Sequence, residues 1–379
     1  MVESFRWGGL LALLCVLTTP VRADESSGRW SGVVEARGNY YWERSTRVIA
    51  PTLSAQLDSP GGTRFNATYL VDTITSASQA TGVIADVAFT EVRHEVLLGS
   101  SREFRIASLP LRLGVLGRVS REPDYLSLGG GINTALFLDQ RATTLRFDLF
   151  YTHDRVSKIL RGFSSDVGGG QRDIGHLGDL DSVVLSGGID RILSRSWTAT
   201  LGYDFNALQG FLANPYRQVP VQGVLRDEKH PEQRLRHSAY FRFATYLEGS
   251  GTAIHLLGRA YVDSWDIAAL TPELRIYQDL GKYVQLRGRY RHYTQTRAYF
   301  AFPNERYVDS DTHVTADPKM TRFHNHLLGG QLAWSLGFIR ADSLSWLQES
   351  WLDFSFEYIW NTNRFGNGVI SQLGLRTPF

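Results

Sequence analysis

Cysteine is almost absent. The single one is Cys15, in an N-terminal stretch that reads as a leader. No disulfide framework is available, so the remainder must hold through hydrogen bonding and packing. Long apolar runs are missing as well. After Ala23 no stretch approaches the roughly 18 residues of a membrane-spanning helix. Net charge is small: the chain has 40 basic and 38 acidic side chains, and 38 and 37 once Glu3, Arg6 and Arg22 are removed. Such a balance argues against a nucleic-acid-binding surface. What is plentiful is Gly (36), Phe (20), Tyr (17) and Trp (9). For a secreted chain of this size, that composition favours a β-barrel over a soluble fold.

The leader has the parts of a signal peptide. Arg6 supplies a short charged region and Trp7–Leu17 an apolar run. Val21-Arg22-Ala23 places small or aliphatic residues where a signal peptidase looks. Residues 1–23 are expected to be removed, leaving one domain at 24–379. Cys15 is a poor lipoprotein site, because Leu14 stands where a small residue is expected and Val16 and Leu17 continue the apolar run.

Beyond Ala23, alternating segments recur with turn-forming residues between them. The pattern predicts strands near 30–42, 45–57, 63–73, 85–98, 104–120, 124–138, 142–155, 181–192, 196–207, 234–247, 252–264, 267–278, 283–297, 322–337, 351–361 and 368–379. That is about sixteen, and bacterial single-chain barrels take even numbers. The connections sort into two kinds. Ser59–Gly62, Gly99–Arg102, Asp139–Arg141, Leu193–Arg195, Glu248–Gly251 and Leu280–Lys282 read as tight turns. Residues 156–180, 208–233 and 298–321 read as long loops. A barrel with both termini in the periplasm has short periplasmic turns and long extracellular loops. Residues 338–350 break the pattern, being long where a turn is due, and leave room for a short helix.

The two faces of each strand also sort. Leu352, Phe354, Phe356, Tyr358 and Trp360 alternate with Asp353, Ser355, Glu357 and Asn361. Leu145, Phe147, Leu149 and Tyr151 alternate with Thr144, Arg146, Asp148 and Thr152, and Trp197, Ala199, Leu201, Tyr203 and Phe205 with Thr198, Thr200, Asp204 and Asn206. Lipid cannot satisfy an open strand edge, so the sheet must close and charge must point inward. Alternation alone does not separate this from a soluble barrel with its apolar face inside. The leader, the loop asymmetry and the end of the chain decide. The last strand alternates from Val369 through Leu373 to Phe379, and it resembles the terminal β-signal that outer-membrane barrels present to their assembly machinery.

Two stretches carry a closer resemblance. Val71-Asp72-Thr73-Ile74-Thr75-Ser76-Ala77-Ser78 is followed by Glu91-Val92-Arg93-His94-Glu95. Ser120-Arg121-Glu122-Pro123-Asp124-Tyr125-Leu126-Ser127 is followed by Gln140-Arg141-Ala142-Thr143-Thr144-Leu145. Both look like the bacterial outer-membrane proteins grouped as domain of unknown function 3570. The resemblance implies a barrel over most of the chain and brings no catalytic residues.

The strongest chemical feature is a column of Arg287, Arg289 and Arg291, with Gln285, Gln295 and Arg297 in line. Same-face residues on a strand lie about 6.6–6.8 Å apart, so these form a ladder of guanidinium groups on the inner wall. Neighbouring strands add Arg236, Arg242, Arg259 and Arg275. Glu35, Asp72, Glu91 and Glu95 lie on the inner face about half a barrel away, among Arg37, Arg64 and Arg93. Opposed charges across water would tune which solutes pass. The plainer reading is a polar wall neutralised in local pairs, such as Arg275 with Glu273 or Arg146 with Asp148.

Weaker candidates remain. His324 and His326 share one strand face and could both reach one metal ion, although their face continues toward lipid. Asp309, Asp311, His313 and Asp317 lie in one loop without the Gly and terminal Glu of an EF-hand. Loop 156–180 holds Asp166, Gly168–Gly170, Asp173, His176 and Asp179 without a full calcium-repeat spacing. His237 and Ser238 are adjacent and so face opposite ways. His255, near Arg259 and Asp263, is the inward histidine to watch for catalysis.

The expectation is therefore an all-β, single antiparallel transmembrane barrel of about sixteen strands in the outer membrane. Only Asp24–Arg29 would precede its first strand, leaving no room for a plug domain. It would serve as a passive pore for small hydrophilic solutes. The alternatives are a closed barrel acting as a scaffold or surface-binding protein and, further off, a surface enzyme. The expected partners are outer-membrane lipid and lipopolysaccharide, the barrel-assembly machinery and a small solute. No cofactor is expected.

Overall fold

A computed structural model describes residues 19–20, 28–44, 46–76, 89–161, 172–302, 306–339, 342–363 and 366–379. The expected cleavage site after Ala23 lies outside these. Sixteen strands close into one antiparallel barrel. They are β1 (Ser31–Glu43), β2 (Thr46–Ile49 and Thr52–Asp58), β3 (Thr63–Ser76), β4 (Phe89–Ile106), β5 (Leu109–Arg121), β6 (Tyr125–Leu138), β7 (Thr143–Arg161) and β8 (Arg172–Ile192). The second half is β9 (Trp197–Gly210), β10 (Gln233–Leu247), β11 (Thr252–Asp263), β12 (Ala268–Leu280), β13 (Val284–Gln295), β14 (Phe323–Ser335), β15 (Trp351–Asn361) and β16 (Gly368–Pro378). Each strand pairs with the next in sequence, and β16 returns to β1 from Val33 opposite Pro378 to Glu43 opposite Gly368. Beyond that ladder, Gly32 and Phe379 exchange two backbone hydrogen bonds of 2.9 and 3.0 Å. Phe379 therefore takes part in closing the sheet.

Three details differ from the sequence-based expectation. The turn expected at Gly99–Arg102 lies inside β4, where Gly99 pairs with Leu116 and Arg102 with Leu113. The chain reverses instead at Ala107–Ser108, whose φ values of 46° and 70° suit a two-residue hairpin. The glycine and serines resembled a turn because loop and strand share small residues. The second correction is that β2 is interrupted at Ala50-Pro51, since Pro51 has no N–H to give to the ladder. Third, β7 and β8 run well beyond their expected ends, to Arg161 and from Arg172, consuming most of the loop assigned to 156–180. Residues 338–350 contain the short helix for which they left room, a 3-10 segment at Asp342–Leu347.

The outer face is apolar around the barrel, with Val115, Leu201, Leu256, Leu328 and Leu373 all exposed on it. Toward the extracellular end a ring of tyrosines marks its edge. Each sits on an upward strand and bonds diagonally to a side chain two positions higher on the next strand. Tyr69, Tyr203 and Tyr290 share hydrogen bonds of 2.9, 2.6 and 2.8 Å with Nδ1 of His94, His237 and His326. Tyr151 donates to Asp181 at 2.6 Å, and His153 lies on the same carboxylate at 2.9 Å. An aromatic body with a polar tip suits the boundary between lipid tails and headgroups.

Two extracellular loops fold against each other. The β9–β10 loop contains a hairpin, Gln218–Val221 with Val224–Asp227. Val221 bridges to Tyr307 and Lys229 to Val314 of the β13–β14 loop. Val219, Val221, Tyr307, Val314 and Ala316 form a small buried core there, and Trp265, Ile267, Ala298, Phe300, Ala301 and Met320 form another. Between them Glu228 is fully enclosed. It accepts from Thr315 Oγ1 at 2.6 Å, Arg217 at 3.0 Å and the backbone N–H of Asn214 at 3.1 Å. His230 Nε2 lies 3.3 Å away, and Arg217 also meets Asp317 at 3.1 Å. These contacts make the loops a folded cap over the extracellular mouth.

Candidate functional site

The arginine column points into the lumen, and the wall around it neutralises part of it. Arg289 is held from both sides. Its Nε and Nη2 donate to Glu273 of β12 at 3.0 and 2.9 Å, and its Nη1 to Glu357 of β15 at 2.9 Å. Arg287 reaches the same Glu357 at 3.2 Å, and Arg275 pairs with Glu273. Glu357 lies two strands from Arg287 and Arg289. It reaches them across Gly329 of β14, where a Cβ would stand 2.5 Å from Glu357 Cγ. The bare backbone leaves the path open.

The same device closes the barrel. Arg37 of β1 and Asp353 of β15 form a two-pronged pair, 3.0 Å on each arm. The pair passes over Gly374 of β16, where a Cβ would lie 2.7 Å from the carboxylate and 2.8 Å from the guanidinium. Gln331 adds a hydrogen bond to Asp353 at 2.9 Å.

Elsewhere on the wall the acids are met locally. Glu35 pairs with Arg37 at 2.9 Å, Asp72 with Arg93 at 2.8 Å and Glu95 with Arg118 at 2.7 Å. Glu91 is placed by its backbone alone, opposite Ile74. Arg64 pairs with Asp58 at 2.6 Å. Arg146 takes Asp190 of β8 at 2.6 Å and not the expected Asp148, because Asp190 is offered by the adjacent strand. Arg259 meets Asp204 at 2.9 Å and Arg242 donates to Thr200 at 3.4 Å.

Three of the lumen arginines have no acidic partner among the described residues: Arg242, which meets only Thr200, and Arg236 and Arg291. Arg291 stands opposite Glu273 in the register, but that carboxylate is occupied by Arg289 and Arg275. Among the described residues neither Arg291 nor Arg236 forms an ion pair, and the Nε of each is buried without a hydrogen-bond partner.

These residues line a succession of cavities. One of about 910 Å³ extends from Arg141 and Ile192 at the periplasmic turns up to Arg259, Thr271 and Arg291. A second, of about 610 Å³, shares those three and rises to Tyr293, Gln295 and Lys319. A third, of about 510 Å³, lies under the cap between Glu122, Asp124, Tyr216, Arg236 and Lys319. Lys319 comes from the β13–β14 loop, in a one-turn helix capped by Asp317. Gln295 fixes that turn to the wall by donating to the carbonyls of Lys319 and Thr321 at 2.7 and 2.8 Å.

The weaker candidates disperse. His324 and His326 lie on the outward face with ring centres 6.0 Å apart, and His292 is 4.6 Å from His326. Among the described residues no group of three His, Cys, Asp or Glu is placed to hold a metal ion. Asp309 pairs with Arg226, and Asp311 accepts from the N–H of Val308 at 2.8 Å. Asp166 and Gly168–Gly170 lie outside the described residues. His255 lies tilted against Tyr277, ring centres 4.9 Å apart, and Asp263 is taken by Arg234. The acids that reach across a glycine, Glu357 to the column and Asp353 to Arg37, were visible in the sequence as the polar face of their strand. Their reach across an intervening glycine was not.

The fold has solved relatives. A bacterial polysaccharide outer membrane secretin is 8% identical over 92% of this chain and 98% of that one, with a TM-score of 0.50. Pseudomonas aeruginosa OccK2 in complex with glucuronate is 11% identical over 92% and 98%, with a TM-score of 0.42. A BenF-like porin from Pseudomonas fluorescens is 9% identical over 92% and 98%, with a TM-score of 0.43. At these identities the likeness concerns the fold. No curated protein sequence matches the chain. A family profile does, over residues 86–358: the chain is an outer-membrane β-barrel belonging to the family described as Protein of unknown function (DUF3570).

Proposed function

We propose that this barrel is a passive pore for small hydrophilic solutes. The observation that supports it best is the succession of neighbouring cavities with charged side chains in their walls. They share lining residues from Glu122 and Asp124 under the cap to Arg141 near the periplasmic turns. Barrels of about sixteen strands are wide enough for an aqueous channel. The folded protein in a planar bilayer is expected to give discrete conductance steps. Correctly folded protein that never conducts would refute the proposal.

One observation favours a second reading. The two capping loops bury apolar residues over the mouth and pin Lys319 in the lumen. A cap that never opens would make the barrel a closed scaffold presenting those loops as a binding surface. Conductance separates the two readings, because only the scaffold is silent.

A further inference from the structure

The wall does not offer its arginines equally, and the difference points to a ligand. Arg287, Arg289 and Arg275 are spent on Glu357 and Glu273. Arg236 and Arg291 are not, and both line the 610 Å³ cavity. No acidic side chain lines that cavity. Arg234 and Arg259 also face it, but they are offset by Asp263 and Asp204 behind them. A guanidinium with an unused edge in a partly buried pocket is a strong donor pair for a carboxylate. The same cavity offers the reverse polarity nearby. Asn325 lines it, and its Oδ1 accepts no hydrogen bond from the protein. An amide lining the cavity can rotate to meet a hydroxyl.

We infer that the cavity between Arg236, Arg291 and Asn325 binds a small hydroxylated carboxylate, such as a sugar acid. The carboxylate takes the two free guanidinium groups and a hydroxyl donates to Asn325. The site rests on the pore reading for how the solute arrives, and on the geometry alone for what it holds. The cavity below it continues toward the periplasm through Arg242, Arg275 and Arg146, a further run of cationic side chains.

Equilibrium dialysis of labelled gluconate against the detergent-folded full chain tests binding without requiring conduction. Gluconate should bind, and acetate and uncharged glucose should bind far less. Replacing both free arginines (Arg236→Gln with Arg291→Gln) should weaken gluconate binding by about tenfold or more. Arg287→Gln, whose charge Glu357 already offsets, should change it by less than about twofold. Asn325→Ala should lower affinity for gluconate and leave acetate unaffected. Heat-modifiable gel mobility verifies that each variant is folded. Gluconate binding indifferent to the double substitution, or glucose binding equally well, would overturn the assignment. Inorganic phosphate that binds as tightly as gluconate would overturn the hydroxyl part of it. Binding with the expected dependence in a protein that does not conduct would leave the site standing and remove the pore.

Discussion

The cap stands or falls with Glu228. Burial pushes its carboxyl up, but the His230 ring, the Arg217 charge and the Thr315 hydroxyl outweigh that and hold it at about 2, against an ordinary 4.5. A pKa lowered on folding is a stability contribution. At 1.36 kcal/mol per unit, this one is worth about 3 kcal/mol to the folded cap. It agrees with the ~3–5 kcal/mol lost when one member of a buried ion pair is removed. Because the folded value lies below the free one, the contribution is complete above pH 4.5 and disappears as pH falls through about 2. Glu228→Gln keeps the side-chain volume but turns an amide nitrogen toward donors, either Arg217 or Thr315 and the N–H of Ala316. The cap should then open more often. A loss of about 3 kcal/mol corresponds to roughly hundredfold faster amide exchange. Hydrogen exchange read by mass spectrometry at pH 7 should show this in peptides from 211–232 and 296–322, with β-strand peptides unchanged. Wild-type protein should lose the same protection as the pH falls from about 4.5 toward 2, after correction for intrinsic exchange rates. Equal protection of the cap in the variant and wild type at pH 7 would refute the account of Glu228.

Gly374→Val should place branched carbon in the path of the Arg37–Asp353 pair, where even a Cβ lies within 2.8 Å of both partners. The expected cost is about 1–3 kcal/mol, seen as a lower temperature for the shift from folded to unfolded gel mobility, and an unchanged temperature would show that the pair does not staple the closure. Phe379→Ala keeps both backbone bonds to Gly32, so stability after refolding in detergent should barely change, while the amount assembled in cells should fall. Equal losses in both settings would make Phe379 a structural residue and not an assembly signal.

How much of this could be read from the chain depends on the range of each interaction. Strand count, loop asymmetry and the sorting of faces follow from a period of two and from turn residues, and both are local. Gly99–Arg102 shows the limit of local reasoning. A strand crossing the bilayer at a tilt can carry Gly and Ser inside it when neighbours on both sides satisfy its backbone, as Asn66 and Leu116 do for Gly99. The cap was legible only as length, because Glu228 finds Thr315 across 87 residues, and no spacing rule announces such a pair.

The arginine column lies between these cases. Its direction was legible, since Arg287, Arg289 and Arg291 must share a face. Its charge was not, because that depends on what lies one and two strands away. Adjacent-strand partners such as Glu273 follow once the register is known. Glu357 reaches the column only because position 329 is glycine. With any side chain there, the carboxylate would be held off, Arg287 would lose its acid and Arg289 would keep only Glu273. Free charge on this wall is thus set by glycine placement as much as by arginine count. The charge left at Arg236 and Arg291 is what the proposed carboxylate site would use.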